Sequence, residues 1–126
     1  MQKLRIKHRQ KVNAIDTTYV RDIMHKIVWK DRLIGLKGAR GVGKTTLLLQ
    51  YIRQNVRPGN DNLYVSLDDV YFSTNRITDF AADFVQNNGK YLFLDEVHRY
   101  KNWAQELKNM YDDYPDLHVV FTGSSM

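Results

Sequence analysis

The amino-acid sequence predicts an α/β fold with a parallel sheet, and three observations carry that prediction. Short apolar runs at Leu33 to Leu36, Leu63 to Leu67, Tyr91 to Leu94 and Leu117 to Phe121 alternate with segments whose apolar residues repeat at helical spacing. The first run leads into Gly38-Ala39-Arg40-Gly41-Val42-Gly43-Lys44-Thr45, which fits the phosphate-loop pattern G-x-x-x-x-G-K-[ST] and needs a strand before it and a helix after it. The third run is apolar throughout, as a strand buried on both faces must be, and ends in Asp95-Glu96. Strands and helices alternating in this way build βαβ units with right-handed crossovers.

Residues 1–12 read as a basic N-terminal arm and 13–126 as one folded core. Lys3, Arg5, Lys7, Arg9 and Lys11 fall on alternate positions and account for the whole formal net charge of +5. The arm reads first as a solvated leader; if extended, it would show one basic and one semi-apolar face, and the basic face could meet a partner or nucleic-acid backbone. Asp16 or Thr17 then caps an expected helix carrying Tyr19, Val20, Ile23, Met24, Ile27 and Val28 on its apolar face. The helix after the phosphate loop carries Leu47, Leu48, Tyr51, Ile52 and Val56 and stops at Pro58-Gly59. The next, with Ile77, Phe80, Ala81, Phe84 and Val85, runs from a Ser73/Thr74 cap to Asn87-Asn88-Gly89. The last runs from an Asn102 cap through Trp103, Leu107, Met110 and Tyr111 to Pro115.

Composition narrows the function. Cysteine is absent, which excludes a disulfide framework and a thiolate metal site. No apolar run approaches a membrane span or a signal-peptide core, so no membrane role and a cytoplasmic location are expected.

The chemistry lies in the loop and in the ends of the strands. Glycines at these positions let backbone N–H groups of Gly38, Ala39, Arg40, Gly41, Val42 and Gly43 turn inward around an anion, with the positive end of the following helix behind them. Lys44 would reach the β- and γ-phosphates, the Thr45 hydroxyl would ligate Mg²⁺, and Thr46 would lie in the same first turn. Asp95, about fifty residues on at the end of a buried strand, reads as the second Mg²⁺-binding group, with Glu96 placed to orient and deprotonate water. Thr122 or Ser124, ending the next strand, could touch the γ-phosphate or that water. Ser66, Asp68, Asp69, His98 and Arg99 read as ordinary strand-end or solvated residues, and Trp103 as core.

On these motifs the chain resembles the P-loop ATPases of the additional-strand, catalytic-glutamate division, and within it the AAA+ ATPases. It is similar to a bacterial and archaeal AAA-type family in which a loop like GARGVGKTTLL is followed by LFLDEVHRYKNWAQELKNMYDDYPDLHVVFTGSS. The resemblance covers about residues 30–126. It implies a three-layer α/β/α fold whose strands lie in the order Leu33, Leu117, Tyr91, Leu63 by first residue. It also implies ATP or ADP with Mg²⁺, and the roles above for Lys44, Thr45, Asp95, Glu96 and Thr122 or Ser124. Relatives continue into a fifth strand, a helical lid and a further domain, so the core is expected to be incomplete at its C-terminus. The first strand would then have an open outer edge, which the alternating arm could cover. The function expected is Mg²⁺-dependent ATP binding and hydrolysis, coupled to a protein partner or to further copies of the chain. A nucleotide-dependent regulatory module without turnover and a helicase-like nucleic-acid motor are the alternatives.

Overall fold

The computed structural model describes residues 1–38 and 43–124. Strands β1 (Leu33–Lys37), β2 (Asn62–Ser66), β3 (Tyr91–Asp95) and β4 (His118–Gly123) form one parallel sheet in the order β1-β4-β3-β2. The last strand in sequence is therefore inserted between the strand leading into the phosphate loop and the strand ending in Asp95, as the resemblance implied.

Because side chains alternate along a strand, the sheet sorts its residues into two cores. On one face Leu63, Val65, Leu92, Leu94, Val119 and Phe121 meet helices α3 (Ile77–Gln86) and α4 (Trp103–Asp113) through Phe80, Phe84, Leu107 and Met110. On the other, Tyr64, Phe93 and Val120 meet helix α2 (Lys44–Asn55) through Leu48, Leu49 and Ile52. Each large apolar side chain fully withdrawn from water contributes about 1.5–3 kcal/mol. These two layers hold the sheet, and the parity that builds them decides which strand-end residues share a face.

The N-terminal arm is not extended. Residues Gln2–Ala14 form a helix, α1, which lies along the outer edge of β2 and not beside β1. Its basic residues make the dock. The Arg5 guanidinium donates to the Asn60 carbonyl at 3.1 Å, Lys7 pairs with Asp69 at 2.5 Å, and Lys11 sits 5.7 Å from the Tyr64 ring centroid. His8 Nδ1 accepts the outward-facing N–H of Tyr64 at 2.7 Å, satisfying a backbone donor that an edge strand would otherwise leave bare. From the other end, Arg53 of α2 donates to the carbonyls of Val12 and Asn13. Leu4 enters one core while Val12 packs against the other, so the helix straddles the sheet edge. Helical periodicity suits these contacts because positions 4, 8 and 11 then fall on one face.

The helix expected over 19–28 is also absent. Only a 3₁₀ turn at Asp22–His25 forms, and Tyr19, Ile23 and Val28 are exposed. Gln50, a buried side chain of α2, explains this: its Nε2 donates to the carbonyls of Asp16 (2.8 Å) and Tyr19 (2.9 Å), groups that a helix would have used internally. Asp16 instead accepts from Thr18 N in a local turn, and Trp29 Nε1 closes the segment onto the Met24 carbonyl.

Two caps also differ. Ser73 ends a 3₁₀ turn, Val70–Ser73, capped by Asp69, and α3 starts later, with the buried carboxylate of Glu106 accepting from Thr78 N. Asn102 does precede α4, but in a left-handed conformation without a side-chain cap bond. The stop of α3 is as read: Asn88 takes φ 70° and Gly89 N–H reaches back to the Phe84 carbonyl at 2.8 Å.

Docking of α1 should depend on pH. Burial, then the Arg5 and Arg9 charges, hold His8 down to about 4 from 6.5. The unfolded chain therefore binds the proton more readily than the folded one across that window, so stability is full above pH 6.5 and falls as pH drops towards 4. The side chain is half-buried, and after allowance for solvent screening the loss should be about 1–2 kcal/mol. His8→Gln keeps an acceptor but does not titrate. Urea unfolding of both proteins at pH 7 and pH 4.5 should show the extra acid loss in wild type only.

Candidate functional site

The site is assembled at the carboxyl ends of the strands, where open parallel sheets gather ligands. The phosphate loop leaves β1 at Gly38 and enters α2 at Gly43, whose φ of 80° is a left-handed conformation that glycine takes without strain. Ala39, Arg40, Gly41 and Val42, all read as phosphate-binding, lie outside the described residues, as does Ser125. Lys44 Nζ folds back and donates to the Gly38 carbonyl at 3.0 Å. Thr46 is exposed in the same first turn.

Asp95 is the centre of the site. It is 1% exposed, and three hydroxyls from three different elements bind its carboxylate. Thr45 Oγ1, from the first turn of α2, donates to Oδ2 at 2.8 Å. Tyr64 OH, from β2, donates to the same oxygen at 2.6 Å. Thr122 Oγ1, from β4, binds Oδ1 and also accepts the backbone N–H of Glu96 at 3.0 Å. Strand parity produces this convergence. Ser66 pairs with Asp95 across β2 and β3, so Tyr64, two residues earlier, faces the same side and reaches the carboxylate diagonally.

Glu96 leaves the strand in a left-handed conformation, φ 60°. Its carboxylate, about a third exposed, lies 3.4 Å from His98 Nε2 and 3.9 Å from Arg99 Nε. His98 is therefore not a solvated loop residue. Its Nδ1 accepts the Ser124 N–H at 3.1 Å, which puts the proton of the neutral ring on Nε2, facing Glu96 and the Ser124 hydroxyl at 3.2 Å. Asp69 likewise has structural work, pairing with Lys7 and capping the turn at 70–73. Ser66 donates to Asp68 at 2.5 Å and not to Glu96, and Trp103 is half-buried with its ring 5.5 Å from Phe121.

Lys44, Thr45, Asp95 and Thr122 are thus brought to one place, with Glu96 beside them and Ser124 joined to Glu96 through His98. Sequence reasoning missed Tyr64, which was absorbed into an apolar strand. Its parity with Asp95 shows only once the register of β2 and β3 is known. Burial, then the Asp95 charge and hydrogen bond, push the Tyr64 phenol above its ordinary range, so it stays a proton donor. The Thr45 hydroxyl and Asp95 carboxylate are hard oxygen donors of the kind Mg²⁺ takes.

Two clefts flank the helix α2. One, of about 300 Å³, adjoins the phosphate loop and is lined by Arg21, Ile23, Ile27, Gly43, Lys44 and Leu47. The other, of about 320 Å³, lies at the opposite end of the strands, between stacked Trp29 and Tyr51 and the residues Tyr91 and His118. Only the first is beside the chemistry.

A parallel sheet whose first strand passes through a glycine loop into a helix, with that helix's threonine bound to a carboxylate two strands away, defines a P-loop nucleotide-binding ATPase core. Comparison with known sequences agrees and narrows the class: the family model described as "AAA domain" matches residues 30–126, and the chain belongs to that AAA+ family. It is 30% identical over 131 residues to the uncharacterized protein MJ1637 of Methanocaldococcus jannaschii, a match covering 94% of this chain and 27% of that protein. Among solved structures it is similar in fold to C. elegans PCH-2, with a TM-score of 0.50 and 16% identity over 98% of this chain and 36% of that one. The chain thus spans about a quarter to a third of the length of these proteins. Among the described residues no helix is long and apolar enough to cross a membrane.

Thr122 is 1% exposed and serves two buried partners at once. Thr122→Val should leave Glu96 N–H and Asp95 Oδ1 short of a partner and cost about 2 kcal/mol in denaturant unfolding, whereas Thr122→Ser should cost under about 1 kcal/mol.

Proposed function

We propose that this chain is the catalytic core of a Mg²⁺-dependent ATPase that couples hydrolysis to a protein partner or to further copies of itself. The observation that carries the reading is the 2.8 Å bond between Thr45 and Asp95, which joins the phosphate loop to a strand-end carboxylate across the sheet. Those two groups would hold the metal. When bound, Mg²⁺ neutralises phosphate charge and orients the β- and γ-oxygens.

The rest follows from this chain's own residues. Lys44 supplies positive charge where the leaving β-phosphate oxygen and the γ-phosphoryl oxygens gain negative charge. Glu96 takes a proton from water as that water's oxygen bonds to the γ-phosphorus and the bond to the bridging oxygen breaks, giving ADP and phosphate. Thr122 holds Glu96 at its backbone, and Ser124 reaches it through His98. The cleft beside the loop, with Ile23, Ile27 and Leu47 as apolar walls, suits a nucleobase. The basic residues Arg5, Lys7 and Lys11 are turned onto the body of the chain, which favours a protein-coupled ATPase over a nucleic-acid motor.

Lys44→Ala should lower ATP affinity by at least tenfold in calorimetry while leaving the circular dichroism spectrum intact. An unchanged affinity would remove the phosphate loop from binding. Glu96→Gln should retain ATP binding and lose at least about 100-fold in turnover, since a base acts on the transition state more than on the ground state. Equal turnover would assign the water to another group.

A further inference from the structure

We infer that Tyr64 is a positioning residue for the metal-binding carboxylate of Asp95. The inference rests on the proposed Mg²⁺ site and goes beyond it, because Tyr64 belongs to neither of the two sequence motifs. Its phenol is the one donor to the Asp95 carboxylate, among the described residues, that comes from outside the phosphate loop helix and the β4 strand end. It binds Oδ2, the oxygen that also faces Thr45.

The geometry gives it a specific task. A carboxylate can rotate about its last side-chain bond, and although Thr45 also donates to Oδ2 here, its hydroxyl would turn to the metal, which leaves Thr122 on Oδ1 as the other fixed donor. A second donor on Oδ2 fixes that plane and leaves the remaining lone pair of Oδ2 directed at the Thr45 hydroxyl, where the metal would sit. Tyr64 can do this because it is itself held. Its side chain is 3% exposed, packed against Phe93 and α2, and its backbone N–H is bound by His8 of α1. Groups that orient a ligand in this way commonly account for 10–100-fold in metal affinity.

Tyr64→Phe removes the hydroxyl and keeps the ring, so packing and the His8 bond are retained. The test is a titration of Mn²⁺, as a paramagnetic substitute for Mg²⁺, into the full chain saturated with a non-hydrolysable ATP analogue, read by electron paramagnetic resonance as free metal. Nucleotide affinity is measured separately by calorimetry in EDTA. Tyr64→Phe should weaken metal binding by about tenfold and leave metal-free nucleotide affinity within twofold. The comparison variant Asp95→Asn separates this inference from the reading beneath it. Loss of metal affinity in Asp95→Asn with wild-type affinity in Tyr64→Phe would overturn the role of Tyr64 alone. Wild-type affinity in both would overturn the metal site itself. A loss in Tyr64→Phe that also appears in EDTA would show a general structural role, and would overturn the positioning role as well.

Discussion

Everything at the functional end of this molecule depends on keeping the carboxylate of Asp95 out of water. Withdrawing such a group costs several kcal/mol unless donors replace its hydration. Here the replacements come from α2, β2 and β4, and each reaches Asp95 only through its own placement relative to β3. Thr45 arrives only if the phosphate loop delivers the start of α2 above β3. Thr122 arrives only if β4 is inserted between β1 and β3, and Tyr64 only if β2 keeps its register with β3. A sheet order that looks like a matter of topology is, at this end, a condition for satisfying one buried charge.

The same hydroxyls pass the constraint outward. Thr122 accepts from Glu96 N–H while binding Asp95, so the two acidic neighbours are tied through one oxygen. Glu96 then turns away in a left-handed conformation, and its carboxylate meets His98, which in turn holds Ser124. Two consecutive acidic residues therefore occupy opposite environments, one dry and fixed, the other partly wet and held by long contacts. That division suits a group that stays put and a group that must move or exchange a proton.

The βαβ alternation was legible because apolar runs and helical spacing are local signatures, whereas the strand order came from the family resemblance that the glycine spacing and the acidic pair supplied. What could not be read was set by contacts distant in sequence. Gln50 looks like an ordinary polar helix residue, yet it takes the carbonyls of Asp16 and Tyr19 and so forbids the helix that the apolar spacing of 19–28 suggests. Tyr64 looks like one more strand aromatic until the register with Ser66 and Asp95 is known. His98 reads as loop because nothing local says that Ser124, 26 residues later, will return to it.

The N-terminal arm makes the same point about charge. Five basic residues on alternate positions read as a solvated leader or as a ribbon offered to a partner, yet the segment is helical, and three of them are directed at β2 and the residues flanking it. An isolated helix of this length and charge would be marginal in water, since like charges at i, i+4 repel and no acidic residue sits in its first turn. It is the sheet edge that supplies what the helix lacks: acceptors for Arg5 and Lys7, an N–H for His8, and apolar surface for Leu4. In return the helix covers backbone groups that an edge strand would leave open to pairing. The excess charge of this chain is thus largely a consequence of how β2 is protected, and because β2 carries Tyr64, protection of that edge and order at the Asp95 carboxylate are properties of one strand.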